Sequence, residues 1–240
     1  MSKERINKML DQQINQVILS LRRDIIAAEH LYDRPQNSVK LLAVSKGQSS
    51  LAVRQTFAAG INDFGESYLQ EALKKQEDLI DLPITWHFIG PMQSNKIKLI
   101  AQHFSWAHSL ERIDFAKKLS QYRPTNQTAL NICIQINLDN EPTKAGIAPN
   151  ELADFIHQLK GMPGIKLRGL MCLPQALMDP LEQYQSLVRL TTLFNKINDQ
   201  LDIKLDTLSM GMSTDYHAAI RAGSTLVRIG RGIFSQQVAR

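Results

Sequence analysis

Two cysteines in 240 residues, Cys133 and Cys172, are too few for a disulfide framework. Each lies inside an apolar run, NICIQINL and GLMCLP, and no CxxC or Cys/His spacing marks a metal site. Both are expected to be buried free thiols of a reducing compartment. No apolar stretch approaches the ~18 residues that span a bilayer, and the N-terminus MSKERINKMLDQQINQ has no apolar signal region. These absences lead to the expectation of a soluble cytoplasmic protein with no membrane partner. Basic clustering is also missing. Lys and Arg total 28 against 23 acids, a net charge of +5, yet the longest basic runs are the pairs Arg22-Arg23, Lys74-Lys75 and Lys117-Lys118. A nucleic-acid footprint gathers on one stripe, so no nucleic-acid partner is expected, whereas small phosphorylated ligands suit the charge. No Pro/Gly/Ser linker and no low-complexity tract divides the chain.

What is present is alternation. The first thirty residues carry Ile6, Met9, Leu10, Ile14, Val17, Ile18, Leu21, Ile25 and Ile26 at helical spacing, ended by DRPQNS. Eight short apolar runs follow: VKLLAV, INDF, ITWHFI, FSWAHS, ALNICIQINL, IKLRGLM, LDTLS and TLVRIG. Helical patterns lie between them, around 50–59, 66–80, 93–102, 111–121, 149–160, 180–199 and 213–221. Repeated strand–helix units predict a parallel sheet, and eight of them predict closure into a (β/α)8 barrel. An open doubly wound sheet is the alternative, but LLAVSKGQ at 41–48 is not the glycine-rich first turn it uses. The expected organisation is a single α/β domain over 1–240, with an extra N-terminal helix at 1–32 and the barrel at 38–234.

In such a barrel the residues just after each strand form the active face. The first strand ends at Lys46. The seventh and eighth end in SMGMSTD and RIGRGIF. Ser213 reads as the N-cap of a helix STDYHAAIRAG that stops at Gly223, and Gly211 allows close backbone approach to a ligand. A helix N-terminus with small hydroxyls, together with Gly230 and Gly232, is suited to a phosphate, although Gly and Ser are also ordinary turn residues. Lys46, expected to be partly desolvated and opposite that phosphate site, would then offer a neutral amine to a carbonyl. The ligand implied is an aldehyde carrying a phosphate: pyridoxal 5'-phosphate (PLP) or a sugar-phosphate aldolase substrate.

Seven stretches carry a resemblance: AVSKGQ, FGESYLQEA, WHFIGPMQSNK, HSLERIDFAKKL, QINLDNEPTKAGI, RGLMCLP and LSMGMSTDYHAAIRAGSTLVRIGRGIF. In this order, over almost the whole chain, they resemble the pyridoxal phosphate homeostasis proteins, which are similar to the N-terminal barrel of alanine racemase (fold type III PLP proteins). The resemblance implies that Lys46 forms the Schiff base with PLP. It implies that Ser213 and the Gly230 amide hold the phosphate, and that Arg228 stands beside the pyridine nitrogen. Met210, Gly211, Asn95 and His87 are placed around the cofactor, His87 and Asn95 with Lys96 in the segment HFIGPMQSNK. One departure is Ser67, where the family usually has asparagine. An arginine at the ring nitrogen weakens the ring as an electron sink. The second base of the racemases comes from a C-terminal domain that is not expected here. The resemblance therefore implies PLP buffering or delivery by a monomer, with PLP-dependent apo-enzymes as recipients and no catalytic residue. A weak amino-acid racemase, with Tyr68 or His87 as its acid/base, is the alternative.

Overall fold

The computed structural model describes residues 3–234 except 140, 142, 143, 176 and 202, with side chains from residue 11 onward. Eight strands form: β1 Lys40–Val44, β2 Asp63–Glu66, β3 Thr85–Phe88, β4 Trp106–Leu110, β5 Leu130–Gln135, β6 Ile165–Met171, β7 Thr207–Ser209 and β8 Leu226–Ile229. They pair in chain order into a closed parallel barrel, the expected α/β architecture. Closure comes from β8 beside β1, with Leu42 opposite Arg228 and Ala43 opposite Ile229. Most strand residues are buried whichever way they point, because helices cover the outside and side chains fill the inside. The apolar run ALNICIQINL is longer than β5, since Ile136 leaves the ladder to bridge Ile147 and the next loop folds back over the strand end.

The helices are α1 Lys3–Leu31, α2 Ser50–Ala58, α3 Leu69–Asp78, α4 Ile97–His103, α5 Ile113–Tyr122, α6 Leu152–Leu159, α7 Pro180–Leu201, α8 Tyr216–Arg221 and α9 Arg231–Phe234. Over the described residues the last is a single turn, and the β8–β1 seam is covered by another helix. α1 takes that place and packs against α2, α8 and α9. Its buried side chains are Ile14, Ile18, Leu21, Ile25 and Ala28, spaced by four, three, four and three residues. Glu29, 1% exposed, ties the helix to the barrel by accepting the Asn37 and Val39 amides at 2.9 and 2.8 Å. The DRPQNS bend between them uses Asp33 and Asn37 at positive φ, 53° and 60°, which short polar side chains tolerate.

α8 begins at Tyr216, three residues later than expected. Asp215, not Ser213, is the N-cap, and its carboxylate reaches back to accept the Met212 amide at 2.5 Å. Its end is as read: Gly223 lies at φ 107° directly after the C-cap Ala222.

Candidate functional site

Beyond β1 the chain makes a tight turn. The Gln48 amide donates to the Ser45 carbonyl at 3.0 Å, and Gly47 lies at φ 74°. A positive φ at the third of four residues is the signature of a type II turn and favours glycine there. Lys46 is the second residue of the turn. It is exposed, not partly desolvated as expected, because a projecting turn carries it instead of the barrel wall.

Behind the turn is a buried ionic cluster. Lys75 Nζ donates to the Ser45 carbonyl at 2.6 Å, Glu66 Oε1 at 2.7 Å and Glu71 Oε1 at 2.5 Å. The Ser45 hydroxyl donates to Glu66 Oε1 at 2.6 Å, and the Gly47 amide to Glu71 Oε1 at 2.6 Å. Burial pushes the Glu66 carboxyl above its usual value, against the opposing pull of Lys75 and Ser45. Lys75 looks like half of a solvated pair in the sequence. It is buried because α3 turns Leu69, Ala72 and Lys75 toward the barrel.

The loops after β7 and β8 meet beside this turn. The Gly232 amide donates to Ser213 Oγ at 3.3 Å. Gly230 adjoins the end of β1, where an added Cβ would stand 3.2 Å from the Val44 carbonyl. These loops were expected opposite Lys46. They are adjacent to it, because β8 and β1 are neighbours in the barrel.

Arg228, on β8 and 4% exposed, faces the barrel interior. Its NH1 donates to the Ser209 carbonyl at 2.5 Å and to Ser209 Oγ at 2.8 Å, and its NH2 to the Cys172 carbonyl at 2.9 Å. From Ser209 a hydrogen-bonded chain crosses the interior. Ser209 Oγ is 2.8 Å from His108 Nδ1, His108 Nε2 is 2.9 Å from His87 Nδ1, and His87 Nε2 is 2.9 Å from Asp63 Oδ1. One assignment satisfies every atom with neutral imidazoles. The Asp63 carboxylate only accepts, so His87 Nε2–H donates and His87 Nδ1 accepts from His108 Nε2–H. His108 Nδ1 then accepts from the Ser209 hydroxyl, which in turn accepts from Arg228. Burial drives both histidines below the usual imidazole value, His108 well below.

Several expected contacts move. His87 is fully buried, stacked on Trp106 at 5.4 Å and hydrogen-bonded to Asp63 and His108, in the same interior network as Arg228. Met210 is likewise fully buried and belongs to the apolar core. Gly211 answers to packing more than to a ligand: at φ 96°, an added Cβ would stand 2.6 Å from the Ala219 Cβ of α8. Asn95 is exposed in the turn before α4, and Tyr68 is 62% exposed. Ser67 is half-buried, and its carbonyl lies only 2.2 Å from where a Cβ on Gly90 would be. Burial pushes the Cys133 and Cys172 thiols up to about 12, so neither is a nucleophile near neutral pH. Glu66 and His108 stand at strand ends in the sequence, where polar residues draw notice, whereas Glu71, Lys75 and Ser209 carry no motif. The spacing of Glu71 and Lys75, four apart on α3, was the available signal for two of them.

Residues 26–237 match the family described as alanine racemase, N-terminal domain. The chain is 48% identical to the pyridoxal phosphate homeostasis protein of Pseudomonas aeruginosa, over 84% of this chain and 86% of that one. It is 39% identical to the protein of the same name from Escherichia coli K12, over 90% and 94%. Among solved structures, PipY of Synechococcus elongatus with PLP bound superposes with a TM-score of 0.81 at 33% identity, over 92% of this chain and all of that one. An alanine racemase of Clostridium difficile shares the fold at 13% identity and a TM-score of 0.69, and the match spans 56% of its length. The chain belongs to the pyridoxal phosphate homeostasis protein family, built on the alanine racemase N-terminal barrel.

Proposed function

We propose that this chain binds PLP through Lys46 and acts in PLP homeostasis in the cytoplasm, holding and releasing the cofactor with little turnover. The observation that carries this reading is the convergence at the β8–β1 seam of a projecting lysine, the Ser213–Gly232 contact and a buried arginine. When bound, PLP supplies an aldehyde that condenses with an amine and a ring that accepts electrons. Lys46 is the covalent anchor. Ser213 Oγ and the Gly230 amide hold the phosphate. Arg228, fixed by Ser209 and the Cys172 carbonyl, presents a permanent cation to the ring nitrogen and opposes its protonation. A ring kept unprotonated is a weak electron sink, which suits storage more than carbanion chemistry. Monomeric delivery to PLP-dependent apo-enzymes is the role we assign to it.

The test is spectroscopic. Protein reconstituted with PLP should be yellow, and borohydride should fix a PLP-sized mass on the peptide containing Lys46. Lys46→Ala should fold normally yet lose both the visible band and the adduct. A colourless wild type, or a variant with an unchanged spectrum, overturns the reading. Sustained interconversion of D- and L-alanine by the loaded protein would instead favour a racemase.

A further inference from the structure

The cluster behind the Lys46 turn does more than any single feature of the mouth to define where that lysine stands. Three of its hydrogen bonds end on the two residues that flank Lys46. Lys75 Nζ holds the Ser45 carbonyl, Glu66 holds the Ser45 hydroxyl, and Glu71 holds the Gly47 amide. Lys46 itself takes no part. The cluster is built of costly material: the side chains of Lys75 and Glu66 are 4% and 0% exposed, and Glu66 Oε2 is buried with no partner among the described residues. Buried ion pairs are weak stabilisers compared with apolar packing of the same volume. A plain apolar contact between α3 and β1 would cover the same surface, but it could not grip one carbonyl, one hydroxyl and one amide on either side of a chosen residue.

We propose that Lys75 and Glu71 are positioning residues for Lys46, fixing the turn at Ser45 and Gly47 so that the amine is presented to a carbonyl ligand at the mouth. This rests on Lys46 being the covalent anchor for PLP. The cluster touches neither the phosphate loops nor Arg228, so its effect is confined to the step in which Lys46 joins the ligand.

That confinement supplies the test. Affinities of the apo protein are measured for PLP and for 4'-deoxypyridoxine 5'-phosphate, which keeps the ring and phosphate but has no aldehyde. Wild type should prefer PLP. In Lys75→Met and in Glu71→Ala that preference should fall by about ten-fold or more, toward the value of Lys46→Ala, while affinity for the deoxy analogue changes by less than about two-fold. Glu71 is partly exposed, so its variant remains informative if Lys75→Met does not fold. Lys75→Arg should recover part of the preference. Equal weakening of both ligands assigns the cluster a general structural role and overturns the inference, as does an unchanged preference in Glu71→Ala. A wild type that binds both ligands equally overturns the anchor reading itself, and this inference with it.

Discussion

Gly47 shows how much of the site rests on one backbone angle. An added Cβ there meets nothing within 4 Å, so space does not demand glycine. The φ of 74° does. Gly47→Ala should destabilise the protein by about 1–2 kcal/mol, the cost of the left-handed region for an L-residue, read as a lowered urea midpoint at constant slope. His108 carries a second prediction. Its folded-state value is depressed by burial, so below the ordinary imidazole value of about 6.5 the unfolded chain binds more protons than the folded one. The stability it contributes is complete above that pH and is lost as pH falls through it, by up to about 1.4 kcal/mol per pH unit. His87 acts in the same sense. His108→Gln should therefore flatten the decline of stability between pH 6.5 and 5 relative to wild type. Parallel pH profiles for the two proteins would refute it. Lys46 was legible in the sequence because a polar residue ending an apolar run is conspicuous. The orientation of His87 was not legible, because Trp86, His87 and Phe88 are all buried and no alternation tells which of them faces the interior.

At the scale of elements, the sequence displayed every strand and the period of α1, but not where α1 would pack. One apolar stripe is compatible with packing on any face of the barrel. The helix's contacts decide the matter, since α1 packs on α2, α8 and α9, the helices that flank β1 and β8. α3 gives the reverse lesson. Lys74 and Lys75 are indistinguishable as a pair, and only the stripe Leu69, Ala72, Lys75 shows which one turns inward. The role of α1 is testable. Ile18 is fully buried, so Ile18→Ala should cost about 2–5 kcal/mol, lowering the melting temperature. The exposed neighbour Leu19, 52% accessible, is the control: Leu19→Ala should shift stability by no more than about 0.5 kcal/mol. Equal losses at both positions would mean that α1 is not seated by this stripe.

For the whole molecule, the site's position on the barrel matters as much as its chemistry. Lys46 follows the first strand, while Arg228 and Gly230 lie on and after the last, and the two strands meet only where the barrel closes. No short turn joins them: the ladder from Lys40–Leu226 to Ala43–Ile229 and the cover of α1 hold the seam. A ligand anchored on Lys46 and held through its phosphate by Ser213 and Gly230 would cross that seam. It binds the closed barrel and not the unfolded chain, so at a hundred-fold excess over its dissociation constant it should add about 2.7 kcal/mol. For a chain of this length that corresponds to a rise in melting temperature of roughly 5–11 °C. Inorganic phosphate can occupy only the β8 side of the seam and should give a smaller rise. In Lys46→Ala the effect of PLP should shrink toward that of the deoxy analogue, because the bond across the seam is lost while the phosphate contacts remain. If PLP stabilises Lys46→Ala as strongly as wild type at the same multiple of the wild-type dissociation constant, the ligand is not held across the seam and the phosphate loops alone account for binding.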